Sequence, residues 1–349
     1  MHNNAPARVA IIMPAYNASE YIEASVRSIL SQDFRDIELI VINDGSKDNT
    51  AQVLERLAAE DGRLRPITVE NGGPAMARNR GLDLVNPGTE YIMFADSDDE
   101  LLPGAISRAV NAAQEQQAEL VLMAFTIHNA DGSQALYSEP EQFLHQEDIG
   151  KALGRLYKAN LLNQVWAKLF SAKLIRDNHI RFPDYRWGED RLFIYDCLEQ
   201  ADAIAVLPES AYRYIMHPGE SLITRYYDKK FEVCLLSDKR MQSLCRRFDI
   251  KEDGDFRYMF AKSIFSCLTT LFAPTCTLSK AEKRQVISQV ISDPHVKERC
   301  RNSFGGAAVK GLCAVIASGN VSLNYIAFKF VAWTGAVLPK FFTKLKHRK

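Results

Sequence analysis

The stretch VAIIMPAYNASEYIEASVRSILSQDFRDIELIVINDGS, residues 9–46, decides the fold class. Its two ends are short apolar runs, residues 9–13 stopping at Pro14 and residues 37–42 stopping at Asn43-Asp44-Gly45, with the length and β-branched content of buried strands. Between them Ile22, Val26, Ile29 and Leu30 recur at helical spacing, behind Asn17 as a candidate cap with Glu20 three residues on. Strand, helix, strand is the repeating unit of an α/β fold with a mostly parallel sheet. The unit recurs: a helix after Thr50 with Val53, Leu54 and Leu57 on one face, strands at residues 64–69, 91–95 and 120–125, and helices opening near Pro74 and after Pro103.

Beyond residue 164 the pattern is mixed, and from about Arg225 it is wholly helical, with Pro274 and Pro294 as the main breaks. A soft boundary near Thr224 therefore separates an α/β domain, residues 1–224, from a helical region, residues 225–349. Of the 349 residues 47% are hydrophobic and 25% charged, an ordinary globular composition. The 43 basic and 43 acidic residues cancel, so no global field recruits nucleic acid. Seven cysteines without a C-x-x-C pair argue against a disulfide framework or a zinc site and are expected to be small core hydrophobes in a reducing cytosol. The first eight residues lack the pattern of a cleaved signal, and no segment reaches the roughly 20 uninterrupted apolar residues of a spanning helix.

In open parallel sheets ligands sit beyond the carboxyl ends of the strands. Tyr16-Asn17, the run from Asn43 to Ser46, and Asp96-Ser97-Asp98-Asp99 each follow an expected strand directly, so three polar loops face one site. Carboxylates spaced as Asp96 and Asp98 suit a hard cation, Mg²⁺ or Mn²⁺, that also takes phosphate oxygens. The alternative for the acidic run is a helix start capped by Asp98 or Asp99. Alone, the run does not decide between them.

Four motifs in order do: Ile-Met-Pro-Ala-Tyr-Asn at 12–17, Val-Ile-Asn-Asp-Gly-Ser-Lys-Asp-Asn-Thr at 41–50, Asn-Gly-Gly-Pro-Ala-Met-Ala-Arg-Asn-Arg-Gly at 71–81 and Phe-Ala-Asp-Ser-Asp-Asp at 94–99. Together they resemble glycosyltransferase family 2 with its GT-A fold, closely over the first 125 residues and more loosely to about residue 224. The resemblance implies nucleotide-sugar binding by residues 1–125 and an acceptor and catalytic part at 126–224. It implies that Pro14, Ala15, Tyr16 and Asn17 receive the nucleoside, with Tyr16 stacking on the base and Asp44 accepting a hydrogen bond from it. Arg78 resembles the arginine that reaches base or phosphate, although an isolated helical arginine is more often a solvated surface residue. Asp96 and Ser97 are expected at the ribose and diphosphate, and Asp98 with Asp96 at the metal.

Glu189-Asp190 is similar to the family's acceptor-side acidic pair, which makes Asp190 the expected general base. A helix start rich in acids is the competing explanation. Trp166, in Val-Trp-Ala-Lys-Leu-Phe at 165–170, has a loose family counterpart usually followed by Asn, where this chain has Ala167. Trp166 or Trp187 is expected to platform the acceptor, with an ordinary core tryptophan as the alternative for Trp166. His217 and Ser221 lie in a segment similar to one that closes over the diphosphate, and a plain connecting loop explains them equally.

Residues 321–349 carry Leu323, Ile326, Phe330, Val331 and Trp333, then Lys340, Lys344, Lys346, Arg348 and Lys349. Such a tail suits an anionic membrane surface, or else a core helix with a solvated end. The expected protein is thus a cytoplasmic enzyme peripheral to the inner face of the membrane. It is expected to be an inverting, metal-dependent enzyme that takes a uridine-diphosphate sugar and a saccharide or lipid-linked glycan acceptor in surface polysaccharide or lipopolysaccharide synthesis, and only its assembly into a homo-oligomer is left open. A non-catalytic nucleotide-sugar or glycan-binding module on the same fold is the rival. A dinucleotide-dependent dehydrogenase fails because no G-x-G-x-x-G follows the first strand.

Overall fold

The structure is a computed structural model and describes residues 7–217, 225–251, 254–301 and 305–337. Strands and helices alternate through Val9–Ala15 (β1), Ile22–Leu30 (α1), Ile37–Asp44 (β2), Thr50–Glu60 (α2), Leu64–Val69 (β3), Pro74–Leu84 (α3), Tyr91–Phe94 (β4), Glu100–Leu101 (β5), Ala105–Glu115 (α4) and Leu120–His128 (β6). A mixed portion follows: Gln134–Tyr137 (β7), Gln142–His145 (β8), Gln146–Lys158 (α5), Lys168–Ser171 (β9), Ala172–Asp177 (α6), Glu189–Gln200 (α7) and Ala203–Ile215 (β10). The remainder is helical: Lys230–Arg247 (α8), Gly254–Thr270 (α9), Lys280–Ser292 (α10), Pro294–Arg301 (α11), Ala307–Ala317 (α12) and Val321–Val337 (α13). The chain is therefore α/β with a helical C-terminal region, as its hydrophobic periodicities require. The described residues group into two compact units, one within 1–220 plus 243–250 and one within 221–242 plus 251–349.

In the first unit the described strands form one sheet in the order β3-β2-β1-β4-β9-β6-β10-β5, with β7 on β6 and β8 on β10. β3, β2, β1 and β4 run parallel, β9 runs against both its neighbours, and β10 is parallel to β6. The chain winds outward from β1 to β3 and then returns to lay β4 on the other side of β1. That reversal opens a crevice beyond the carboxyl ends of β1 and β4. Residues 9–13 of β1 are at most 1% exposed, which is why they read as a continuous apolar run without alternation. α3 lies close on β1: a Cβ on Gly81 would meet Ile12 Cγ2 at 2.3 Å, so this approach requires glycine.

Two local expectations are corrected. α1 begins at Ile22 with Tyr21 in the N-cap position and no side-chain cap, so Asn17 and Glu20 do not form a capping box. A turn intervenes, in which the Tyr21 and Ile22 N–H groups both donate to Ala18 O, and Asn17 is left for another task. α4 begins after Gly104, again without a side-chain cap, which removes the helix-cap explanation for Asp98 and Asp99.

The second unit packs Phe256, Phe260, Ile264 and Leu268 of α9 with Ile287, Val290 and Ile291 of α10 and Phe328 of α13 as buried side chains. Within it Asp238 of α8 accepts hydrogen bonds from Arg299 Nη2 at 2.6 Å and lies 2.7 Å from His295 Nε2. All seven cysteines are free and buried, consistent with use as small apolar residues. No described helix is long and apolar enough to cross a membrane.

Candidate active site

β1 ends by presenting half-buried Pro14, buried Ala15 and Tyr16, the last 49% exposed at the mouth of the sheet. β2 places Asn43 beside Ala15 in register. The loops after the two strands are tied together. Asn17, in a left-handed conformation with φ 48°, donates its N–H to Ser46 Oγ at 2.9 Å and accepts the Lys47 N–H on Oδ1 at 2.8 Å. Ser19 N–H donates to Asp48 Oδ2 at 3.1 Å and Thr50 N–H to Asp48 Oδ1 at 3.0 Å. Burial alone would push the Asp48 carboxyl up, but these donors and the Thr50 hydroxyl bring it down to about 2.

Asp44 is buried at 4% exposure, and its oxygens accept the N–H groups of Gly72 and Gly73, each at 2.8 Å. The glycine pair is therefore a backbone clamp on β2, and a carboxylate with two oxygens keeps acceptor capacity beyond these two bonds. Gly73, at φ 87°, is the N-cap of α3. One turn into that helix stands Arg78, which is 4% exposed and so is no surface residue.

Arg78 joins three carboxylates from two distant parts of the sequence. Nη2 donates to Asp96 Oδ1 at 2.8 Å, and Nη1 donates to Asp190 Oδ1 at 2.9 Å and to Glu189 Oε1 at 3.2 Å. Burial would favour loss of the guanidinium charge, but Asp190, Asp96 and Glu189 hold it firmly protonated. Glu189 and Asp190 form the first turn of α7 after Gly188, so the helix-start explanation is true of their position and incomplete as an account of their partners. Burial and the neighbouring Asp190 charge push Glu189 up to about 7 against the pull of Arg78. Asp190 is also raised by burial, and Arg78 and Lys168 oppose that rise.

The acidic run after β4 is anchored on β10. Asp96 N–H donates to the Tyr212 hydroxyl at 2.9 Å, and Asp99 Oδ1 accepts the Ile215 N–H at 2.8 Å. Ser97 and Asp98 are half-buried at the crevice. Burial and the charges of Asp96 and Asp98 push the Asp99 carboxyl well up, and its Oδ2 is buried without a hydrogen-bond partner. Among the described residues no group of three or more His, Cys, Asp or Glu side chains is arranged to hold a metal ion.

Trp166 is 7% exposed and stacks on Tyr212 and Tyr214 with centroids 4.7 and 5.5 Å away, the environment of a core tryptophan. The alternative given above for Trp166 thus matches its surroundings, and the accessible tryptophan is half-buried Trp187, with Arg191 5.4 Å over its ring. Ala167 has φ 55°, a region that asparagine tolerates better than alanine. The asparagine frequent in the family at this place therefore has a backbone reason. His217 lies against Tyr21 with centroids 4.0 Å apart and its Nε2 buried without a partner, whereas Ser221 lies outside the described residues.

Sequence reasoning gave Asp99 only as part of the acidic run and did not single out Tyr212 or Lys168. Lys168 is 1% exposed on β9, and burial lowers it to about 7 while Asp190 opposes that shift. The available signal was a single lysine inside the apolar run Trp166-Ala167-Lys168-Leu169-Phe170.

Residues 10–176 match the family model described as Glycosyl transferase family 2. The uncharacterized glycosyltransferase EpsJ of Bacillus subtilis is 31% identical over 216 residues, covering 60% of this chain and 62% of that protein. The poly(ribitol-phosphate) beta-N-acetylglucosaminyltransferase TarS of Staphylococcus aureus is 28% identical over 227 residues, covering 63% of this chain and 37% of that protein. The chain thus spans less than two thirds of these curated relatives. Among solved structures, residues 1–349 of S. aureus TarS in complex with UDP-GlcNAc superpose with TM-score 0.68 at 21% identity, covering 94% of this chain and 92% of that one, a shared fold. With the four motifs gathered at one crevice and the family model matching residues 10–176, this part of the chain belongs to glycosyltransferase family 2, on the GT-A fold.

Proposed function

We propose that the chain is an inverting, metal-dependent glycosyltransferase that moves a sugar from a UDP donor to a hydroxyl of a glycan or lipid-linked saccharide acceptor in surface-glycan synthesis. The observation that carries the proposal is Arg78: one buried guanidinium ties Asp96, on the donor side of the family pattern, to Glu189 and Asp190 on the acceptor side. A binding module needs no such link. The relatives support the class of substrate, since TarS is named for N-acetylglucosamine transfer to poly(ribitol-phosphate) and a structure of it contains UDP-GlcNAc. A Campylobacter jejuni relative, 36% identical over 115 residues, is named as a β-1,3-glucosyltransferase acting on a PP-undecaprenol glycan. A β product from the ordinary α-linked UDP-sugar is the stereochemistry of inversion.

In this mechanism Tyr16 stacks on the base, held with Pro14, Ala15 and Asn17 by the loop ties to Ser46 and Lys47. Asp44 orients the nucleoside through its remaining acceptor capacity. Asp96 and Ser97 meet the ribose and diphosphate. The crowded acids around Asp99, with its orphaned buried oxygen, fit a divalent cation, and Asp98 with Asp96 would hold Mg²⁺ or Mn²⁺. Such an ion supplies positive charge against the departing diphosphate. Asp190, the more exposed of the acceptor-side pair at 18% against 9% for Glu189, takes the proton from the acceptor hydroxyl as that oxygen attacks the anomeric carbon. Trp187 offers an apolar face to the acceptor sugar. Screening UDP-sugars for transfer and for slow hydrolysis with Mg²⁺ or Mn²⁺ tests the proposal. Metal-dependent binding of UDP without transfer or hydrolysis of any donor would establish the non-catalytic rival instead.

The same proposal places the enzyme on the cytoplasmic face of a membrane through residues 321–349. On α13 Leu323, Ile326, Phe330 and Trp333 are 45%, 66%, 60% and 57% exposed and recur at helical spacing, ahead of the basic residues 340–349 of the sequence. Cosedimentation with vesicles tests this. Binding to anionic vesicles that is lost in Ile326→Glu/Phe330→Glu supports it, and no binding to anionic or neutral vesicles overturns it.

A further inference from the structure

We infer that Asn79 is a positioning residue for the transfer reaction: its amide fixes the backbone of Phe182 and so holds the acceptor-side loop, residues 182–188, and α7 in register with the donor-side helix α3. The inference rests on the reading that Trp187, Glu189 and Asp190 serve the acceptor. Asn79 belongs to the motif at 71–81, in which Arg78 meets the carboxylates and Gly81 lets α3 approach β1, and neither task involves it. Asparagine is disfavoured inside a helix, because its side chain competes for nearby backbone groups. Here that side chain is engaged far away in sequence. Nδ2 donates to Phe182 O at 2.8 Å, and Oδ1 accepts the Phe182 N–H at 2.9 Å, across 103 positions.

Phe182 lies between α6 and α7 in a stretch without regular structure, so no strand pairs with its peptide groups. It is 3% exposed, and peptide groups buried without partners would disfavour this placement of the loop. Asn79 satisfies both groups, as a neighbouring strand would. The ring fixed in this way touches both sides of the site. It stacks on Phe193 of α7 with centroids 4.1 Å apart and planes 7° from parallel, and it meets Phe94 of β4 edge-on at 5.1 Å. Phe193 stands one turn beyond Glu189 and Asp190 on α7, and Phe94 stands two residues before Asp96. The guanidinium carbon of Arg78 is 5.5 Å from the same ring centre. Toward the acceptor, the loop runs five residues from Phe182 to Trp187 before Gly188 takes the N-cap of α7. The ion pairs of Arg78 can follow a displaced carboxylate, because a long side chain has many rotamers. The short Asn79 amide cannot, so it sets where the loop and α7 stand against α3.

The test uses the full chain with UDP-GlcNAc or UDP-glucose, whichever wild type uses, the acceptor that wild type turns over, and UDP with Mn²⁺ as the binding probe. Asn79→Ala removes both bonds. A misplacement of about 1 Å can cost about 10²-fold, so kcat for transfer should fall by about 10–100-fold and acceptor KM should rise, with UDP affinity within about twofold of wild type. The share of donor lost to water should rise at the same time. Asn79→Asp keeps the acceptor for the Phe182 N–H and loses the donor. It should show the same split to a smaller degree, and it decides the question if the alanine form does not fold. A purely structural role would reduce the amount of active enzyme, lowering transfer and hydrolysis equally with both KM values unchanged. That result, a matching loss of UDP affinity, or wild-type transfer in Asn79→Ala overturns the inference. Failure of the underlying reading is distinguishable, because Asp190→Asn would then retain transfer.

Discussion

Arg78→Met removes one charge and keeps much of the aliphatic stem, including packing near Phe182, whose ring centroid is 5.5 Å from the guanidinium carbon. The three carboxylates left behind are 27%, 9% and 18% exposed for Asp96, Glu189 and Asp190. Breaking a buried ion pair by deleting one partner costs about 3–5 kcal/mol. Part of that cost is relieved by protonation, which gives the effect a pH signature. Glu189 already stands at about 7, above its unfolded value, so its contribution to stability falls as pH rises between the two. Without Arg78 the folded values of the acidic pair rise further, and the loss extends to higher pH. Thermal melts of wild type and variant at about pH 5.5 and about pH 8.5 should show a small difference at the first and the full one at the second. At about 2–4 °C per kcal/mol the full difference is roughly 6–20 °C. A variant that melts within about 2 °C of wild type at both values, or one that is destabilised equally at both, refutes the account of Arg78 as the charge that holds these carboxylates together.

Asp190→Asn should lower kcat for transfer by about 10²–10⁴ while leaving UDP affinity in the presence of metal nearly unchanged, measured by a coupled assay and calorimetry. A wild-type rate with a genuine acceptor would remove Asp190 as the base. Asp48→Ala should cost about 1–2 kcal/mol at neutral pH by untying the loops after β1 and β2. Because the folded Asp48 value is depressed to about 2, that stabilisation is present above the unfolded value near 4 and fades as pH falls through 2. Wild type and variant should therefore converge at the acid end of a denaturation series. Gly81→Ala puts a methyl where Ile12 Cγ2 would be 2.3 Å away and should destabilise by about 1–3 kcal/mol. Partial rescue by Ile12→Ala, which removes Cγ2, in a double-mutant cycle checks that this contact is the cause.

Most of the fold was legible in local pattern. β3 spans residues 64–69 as expected, β1 and β2 contain their expected apolar runs, and α3 opens at Pro74. Such segments announce themselves because burial on both faces leaves a continuous apolar run and because proline and glycine mark chain direction. Caps were less legible. The pattern at Asn17 and Glu20 satisfies the sequence rule for a box, yet Asn17 is drawn to Ser46 and Lys47, partners about 30 residues away that no local rule contains.

What the sequence by itself determined is the order of strands and helices, the three polar loops after β1, β2 and β4, and the family motifs they carry. Periodicity and turn chemistry act over a few residues, so they are written locally. Only the tertiary structure decided which charges meet. Arg78 and Asp190 are 112 positions apart, and Lys168 looks like one lysine in an apolar strand. Charge interactions depend on distance and on exclusion of water, and both are set by how β9, α3 and α7 are brought around one crevice.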